Sequence, residues 1–71
     1  MKRYLIIVEE TPSGYSAYSP DVPGCVAAAA TRSEVEREMH DAIEVHIEGL
    51  CAAGEDVPKP QSEASYCEIT I

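Results

Sequence analysis

Hydrophobic and polar positions divide the chain into five segments. From about Arg3 to Val8 the residues Tyr4-Leu5-Ile6-Ile7-Val8 follow one another without a polar break, a run that predicts a strand covered on both faces. Glu9-Glu10 ends the run, and Thr11-Pro12-Ser13-Gly14 is a cluster of turn formers. Tyr15 to Tyr18 predicts a second strand, so the first two strands form a hairpin. Cys25 to about Ala29 predicts a third, whose alanines leave little bulk and let a helix lie close over the sheet. Ala27 to Ala30 can alternatively open that helix.

Beyond Ala30 the period changes. Val35, Met39, Ala42, Ile43, His46, Ile47, Leu50 and Ala53 recur at three- and four-residue spacing, while Glu34, Arg37, Glu38, Asp41, Glu44 and Glu48 fall opposite. Ser33, three residues before Glu36, has the spacing of a capping box and predicts the helix start, with the helix reaching about Ala53. Gly54 supplies a left-handed C′ position, Val57 its hydrophobic contact, and Pro58 and Pro60 stop the helix from resuming. Lys59 to Ala64 is a polar connector. Ser65 to Ile71 sets Cys67, Ile69 and Ile71 against Tyr66, Glu68 and Thr70, which predicts a half-buried strand.

The expected order is therefore β-β-β-α-β, an α+β fold in a single domain spanning residues 1–71, with the last strand beside the first after a right-handed crossover. One helix cannot cover two sheet faces, so either Tyr4, Ile6 and Val8 or Leu5 and Ile7 should lie on an open patch. A core this small supplies only about 3–5 kcal/mol. A two-fold homodimer on that patch or on an edge strand is the expected remedy.

Between the second and third strands stands Tyr18-Ser19-Pro20-Asp21-Val22-Pro23-Gly24-Cys25, which predicts a stiff, exposed corner. Its two prolines fix φ and offer no N–H, and its glycine permits a turn closed to other residues.

Charge narrows the choice of partner. At net −8 and a pI near 4.4, with only five Lys and Arg, the chain lacks the basic patch that nucleic-acid binding requires and suits a basic protein. Met1-Lys2-Arg3 before Tyr4 to Val8 has the look of a signal peptide, but the apolar run stops at Glu9-Glu10, short of a hydrophobic region of about 7–15 residues and without a small-residue cleavage site, and no run approaches the roughly 20 apolar residues of a membrane span. The expected location is the cytoplasm. Three cysteines, Cys25, Cys51 and Cys67, without Cys-x-x-Cys spacing suit neither a disulfide framework nor a zinc cluster and are expected as buried thiols.

Candidate chemistry is sparse. His40 and His46, six apart on a helix, diverge by about 240° and share no metal ion. His46 reads as a hydrogen-bonded residue at the core edge, and His40 as marginal to the stripe. Cys51 lies on a different helical face from His46, which leaves no Cys-His pair. A meander followed by a helix and a strand resembles part of the ribonuclease H fold, yet a two-metal nuclease needs an acid inside the first strand, and Arg3 to Val8 has none. No catalytic residue, cofactor site or metal site is expected. The helix acids are either a solvated face or a docking surface for a basic partner.

Gly14-Tyr15-Ser16-Ala17-Tyr18-x-Pro20-Asp21-x-Pro23-Gly24-Cys25, then Thr31 to Ser33 opening a helix with Ala42-Ile43 and His46-Ile47-Glu48-Gly49-Leu50, then Gly54 to Pro58, resembles the HicB-type antitoxin domain along nearly its full length. Ala29-Ala30 departs from the polar residues common there. The resemblance implies a β-β-β-α-β fold, no catalysis of its own, and a role in binding a small basic HicA-type toxin so that the toxin's mRNA-cleaving histidine is covered. The helix-turn-helix or ribbon-helix-helix segment of longer members has no counterpart here, which implies no specific DNA binding by this chain alone. The expected partner-binding residues are Tyr18, Pro20, Asp21, Pro23, Glu34, Glu38, Asp41, Glu44 and Glu48. The alternative is a solitary regulatory or small-molecule binding domain without a toxin.

Overall fold

Gly14 decides how the sheet begins. A computed structural model describes residues 2–71, and in it β1 (Ile7–Thr11) and β2 (Gly14–Tyr18) pair antiparallel from Ile7 opposite Tyr18 to Thr11 opposite Gly14, with Pro12-Ser13 as the loop. Gly14 has φ +150°, and a Cβ there would lie 2.3 Å from the Ala29 carbonyl oxygen. Only glycine lets β3 (Val26–Ala29) approach so closely. β3 joins the other side of β2, Tyr15 opposite Ala29 through Tyr18 opposite Val26, so the sheet order is β1-β2-β3.

The first strand differs from expectation. Its ladder starts at Ile7 and takes in Glu9-Glu10-Thr11, because the turn at Pro12-Ser13 sets which residues face one another, whatever their polarity. Residues 3–6 lie outside the ladder but remain packed: Tyr4 and Ile6 touch the core, and the Leu5 carbonyl accepts the Ser19 hydroxyl at 2.8 Å.

The long helix α1 (Arg32–Ala52) covers one face of this sheet. Val8, Ala17 and Ala27 stand side by side in the register, with Ala17 buried and the other two packed on the cluster formed by Val22, Cys25, Val35, Met39 and Ile43. Alanine on β2 and β3 leaves room for Val35 and Met39, both fully buried, to sit against the strands. The opposite face carries Ile7, Tyr18 and Val26 in one row.

The helix begins two residues earlier than Ser33. Thr31 is the N-cap, in extended conformation, accepting the Glu34 backbone N–H at 3.2 Å and donating its hydroxyl to the Glu34 carboxylate at 2.9 Å. Thr31-x-x-Glu34 competes with Ser33-x-x-Glu36 and wins, adding two residues at the helix start. The end is as expected: Gly54 takes φ +71°, its N–H donates to the Cys51 carbonyl at 3.1 Å, and the Glu55 N–H reaches the Leu50 carbonyl at 2.9 Å, the pair of bonds of a Schellman cap. Val57 is half-buried.

His46 is exposed, not at the core edge. A helix of 21 residues runs about 31 Å and a strand of five about 17 Å, so the second half of α1 outruns the sheet, and its stripe goes uncovered at His46 and Ala53. The cysteine expectation also fails in part. Cys25 is buried, its thiol 3.8 Å from the Ala42 carbonyl, but Cys51 and Cys67 are exposed.

The fourth strand does not form, and Ser65 to Ile71 joins no ladder. Tyr66 is 94% and Ile69 72% exposed, and Ile71 is fully open. It is the polar connector that lies beside residues 3–6, held there by side chains: the Tyr4 hydroxyl donates to the Pro58 carbonyl at 2.6 Å, and Asp21 takes the backbone of Gln61 and Ser62. Glu63 and Ala64 still line a hollow with Arg3 to Ile6, and among the described residues β1 pairs with β2 alone. The fold is thus three antiparallel strands and one helix, α+β. No helix of the described residues is long and apolar enough to cross a membrane.

Candidate functional site

The proline corner is anchored from within. Ser19 and Val22 are buried, the Val22 N–H donates to the Ser19 carbonyl and the Cys25 N–H to the Val22 carbonyl, both at 3.3 Å, and Gly24 takes φ +88°. These two consecutive turns leave Pro20, Pro23 and Gly24 outward. Beneath these exposed residues Val22 is fully buried in the core.

Asp21 faces the connector. One carboxylate oxygen accepts the Ser62 N–H at 2.8 Å and the Gln61 N–H at 2.9 Å, and the other accepts the Ser62 hydroxyl at 2.8 Å. The Ser62 N–H above all, then its hydroxyl and the Gln61 N–H, hold the Asp21 carboxyl below the ordinary aspartate range. Burial pushes the Cys25 thiol up, so it stays protonated and inert.

The nine expected partner-binding residues fall in separate places. Pro20, Asp21 and Pro23 share the corner, where Asp21 spends its acceptors on the connector. Tyr18, 44% exposed, stands on the open sheet face between Ile7 and Val26, the latter 69% exposed. Glu34, Glu38, Asp41, Glu44 and Glu48 are all exposed on α1, which covers the other sheet face. Glu44 and Glu48 rim a groove of about 580 Å³ between residues 2–6 and α1, floored by Tyr4, Ile6, Ile43 and Ile47 and flanked by Lys2, Glu36 and His40. His40 contacts Asp41 at 3.2 Å, and with Glu44 their ligand atoms lie within 4.8 Å of one another, an exposed surface cluster on one helix.

Three features went unread in the sequence. The row Ile7-Tyr18-Val26 depends on register across two pairings, the groove on where residues 2–6 pass the helix, and the Asp21 contacts on a partner 41 residues away. The signal for the first was present: once the turn at Pro12-Ser13 is placed, alternation puts Ile7 opposite Tyr18.

Residues 4–69 match the family described as the HicB_like antitoxin of bacterial toxin-antitoxin system. The chain belongs to this HicB-like antitoxin family. Two curated relatives agree in sequence: an uncharacterised 14.9 kDa protein of the rep-hol intergenic region of Haemophilus phage HP1, 40% identical over 63 residues, which are 89% of this chain and 47% of the phage protein, and a UPF0150 protein of Synechocystis sp., 37% identical over 57 residues, 79% of this chain and 72% of that one. The chain thus spans about half the length of the phage relative. Among solved structures, a chain of the HicA3 and HicB3 toxin-antitoxin complex superposes with a TM-score of 0.70 and 33% identity over 84% of this chain and 70% of its own length. The crystal structure of antitoxin HicB3 matches equally, covering 84% of this chain and 44% of HicB3. At that identity the likeness of the antitoxin domain extends to sequence as well as fold.

Proposed function

We propose that this HicB-like chain binds and blocks a small basic HicA-type toxin that cleaves mRNA. The observation that carries the reading is its 33% identity, over 84% of its length, to a chain of the HicA3 and HicB3 toxin-antitoxin complex. Charge supports it. A net charge of −8 raises the encounter rate with a basic protein, and Glu34, Glu38 and Asp41 present exposed carboxylates that lysine or arginine can reach. Glu44 and Glu48 extend the same acidic side toward the groove rim.

Tyr18, with Pro20 and Pro23 at the adjoining corner, forms the second candidate contact. Aromatic side chains in an apolar setting carry much of the affinity of protein interfaces, whereas rim charges chiefly set rate and specificity. In this reading Asp21 acts indirectly, tying the connector to the corner so that the prolines hold their place. The chain performs no catalysis; it covers the toxin's catalytic face, in the cytoplasm where mRNA is found. Specific DNA recognition is no part of this domain's role, since its charge has the wrong sign.

Size-exclusion chromatography with a HicA-type toxin tests the proposal. A single co-eluting complex at low salt that weakens as salt rises supports it. Two separate peaks at every salt concentration overturn it.

A further inference from the structure

The groove between residues 2–6 and α1 has an apolar floor and an acidic wall. Tyr4, Ile6, Ile43 and Ile47 form the floor. On the helix, Glu36, His40, Glu44 and Glu48 follow one another at four-residue steps and so run along one side of α1. Against these three carboxylates the groove sets a single ammonium, that of Lys2. Glu36 is engaged by Arg32 at 3.4 Å, but among the described residues neither Glu44 nor Glu48 has a cationic partner. The Tyr4 hydroxyl is spent on the Pro58 carbonyl at 2.6 Å, which leaves the ring as what Tyr4 offers an occupant.

We propose that this groove is a binding site for a small organic cation, an ammonium carried on an apolar chain or ring, with the apolar body on Ile6, Ile43 and Ile47 and the ammonium held by Glu44, Glu48 and the Tyr4 ring.

Floor and wall each exclude a different class of ligand. The glutamates, within a chain of net charge −8, repel an anion and concentrate a cation. An aromatic ring adds to this, since its quadrupole attracts a cation held over its face. A bare inorganic cation would leave the isoleucines in water, and a neutral hydrocarbon would leave the carboxylates unused. Only a molecule with both parts satisfies the whole groove. Its volume of about 580 Å³ favours a free molecule over a protein surface, because sites for small molecules span roughly 300–1,000 Å³. The inference goes beyond the toxin contact and stands whether or not a toxin docks.

NMR titration of the full chain with octylammonium, butylammonium and octanoate tests it. Octylammonium is expected to shift the amides of residues 4–6 and of Ile43 to Glu48, with a dissociation constant of about 1 mM or tighter. Butylammonium, four CH₂ groups shorter, should bind at least about tenfold more weakly, and octanoate should leave these amides in place. A Glu44→Gln/Glu48→Gln variant removes both charges at exposed positions, and circular dichroism checks that its helix is kept. Its affinity for octylammonium should fall about fivefold or more. Should the variant not fold, the comparison of octylammonium with octanoate on the wild type decides. Octanoate binding as well as octylammonium overturns the proposal, as does an unchanged affinity in the folded variant. Shifts confined to the Ile7-Tyr18-Val26 face, or none by about 10 mM octylammonium, overturn it too. A Lys-Leu-Lys-Leu-Lys peptide that takes the groove more tightly than octylammonium also overturns it, since the occupant is then a protein segment.

Discussion

The Asp21 carboxylate closes a loop of 41 residues by taking both the backbone N–H and the hydroxyl of Ser62, each at 2.8 Å. One short acid between two prolines thereby joins the corner after β2 to the segment that follows the helix. Because Pro20 and Pro23 restrict the backbone around it, little further ordering is needed to hold the carboxylate in place. Replacing Asp21 with Ala should free the connector while leaving sheet and helix intact. Amide exchange at Gln61 and Ser62 is expected to speed up roughly tenfold or more, with the amides of α1 unchanged, and NMR hydrogen exchange would measure both.

The same contact gives acid a point of attack. The folded state holds the Asp21 carboxyl below its ordinary value, so the unfolded chain binds this proton more readily. Its contribution is full above the unfolded value of about 3.9 and is lost as pH falls through the lower folded one. An Asp21→Asn variant keeps an acceptor oxygen but cannot titrate there. Thermal melts of the two proteins should converge as pH drops from neutrality through that window, with the wild type the more stable at neutral pH.

Gly14 and Gly24 make a matched pair for testing backbone strain. Both have positive φ, but a Cβ on Gly14 collides with the Ala29 carbonyl at 2.3 Å, while one on Gly24 meets nothing within 4 Å. Gly14→Ala should therefore cost clearly more than about 1 kcal/mol, a serious fraction of the roughly 3–5 kcal/mol available to so small a core. Gly24→Ala should cost less than Gly14→Ala. Urea denaturation of the two variants would order them.

What could be read ahead of the structure follows from how local its cause is. The turn at Pro12-Ser13, the stripe of Val35, Met39 and Ile43, and the stop at Gly54 each depend on neighbours a few residues away, and each was legible. The helix start slipped from Ser33 to Thr31 because two capping boxes overlap and only the packing of the first turn chooses between them. The last strand does not form because alternation at Cys67, Ile69 and Ile71 records a strand preference without supplying an edge to pair with. The roles of Tyr4 and Asp21 were invisible for a related reason: their partners, Pro58 and Ser62, lie 54 and 41 residues away. The fold spreads the candidate binding residues over a corner, an open sheet face and the outer side of a helix.

Inhibition of RNA cleavage tests the central claim most directly. A purified HicA-type toxin would be assayed on mRNA against increasing amounts of the chain, at constant salt. The account predicts that cleavage falls to background near one chain per toxin, and that Glu34→Lys/Glu38→Lys/Asp41→Lys shifts the curve to higher concentration. Cleavage that continues unabated in large excess of the folded chain would contradict it.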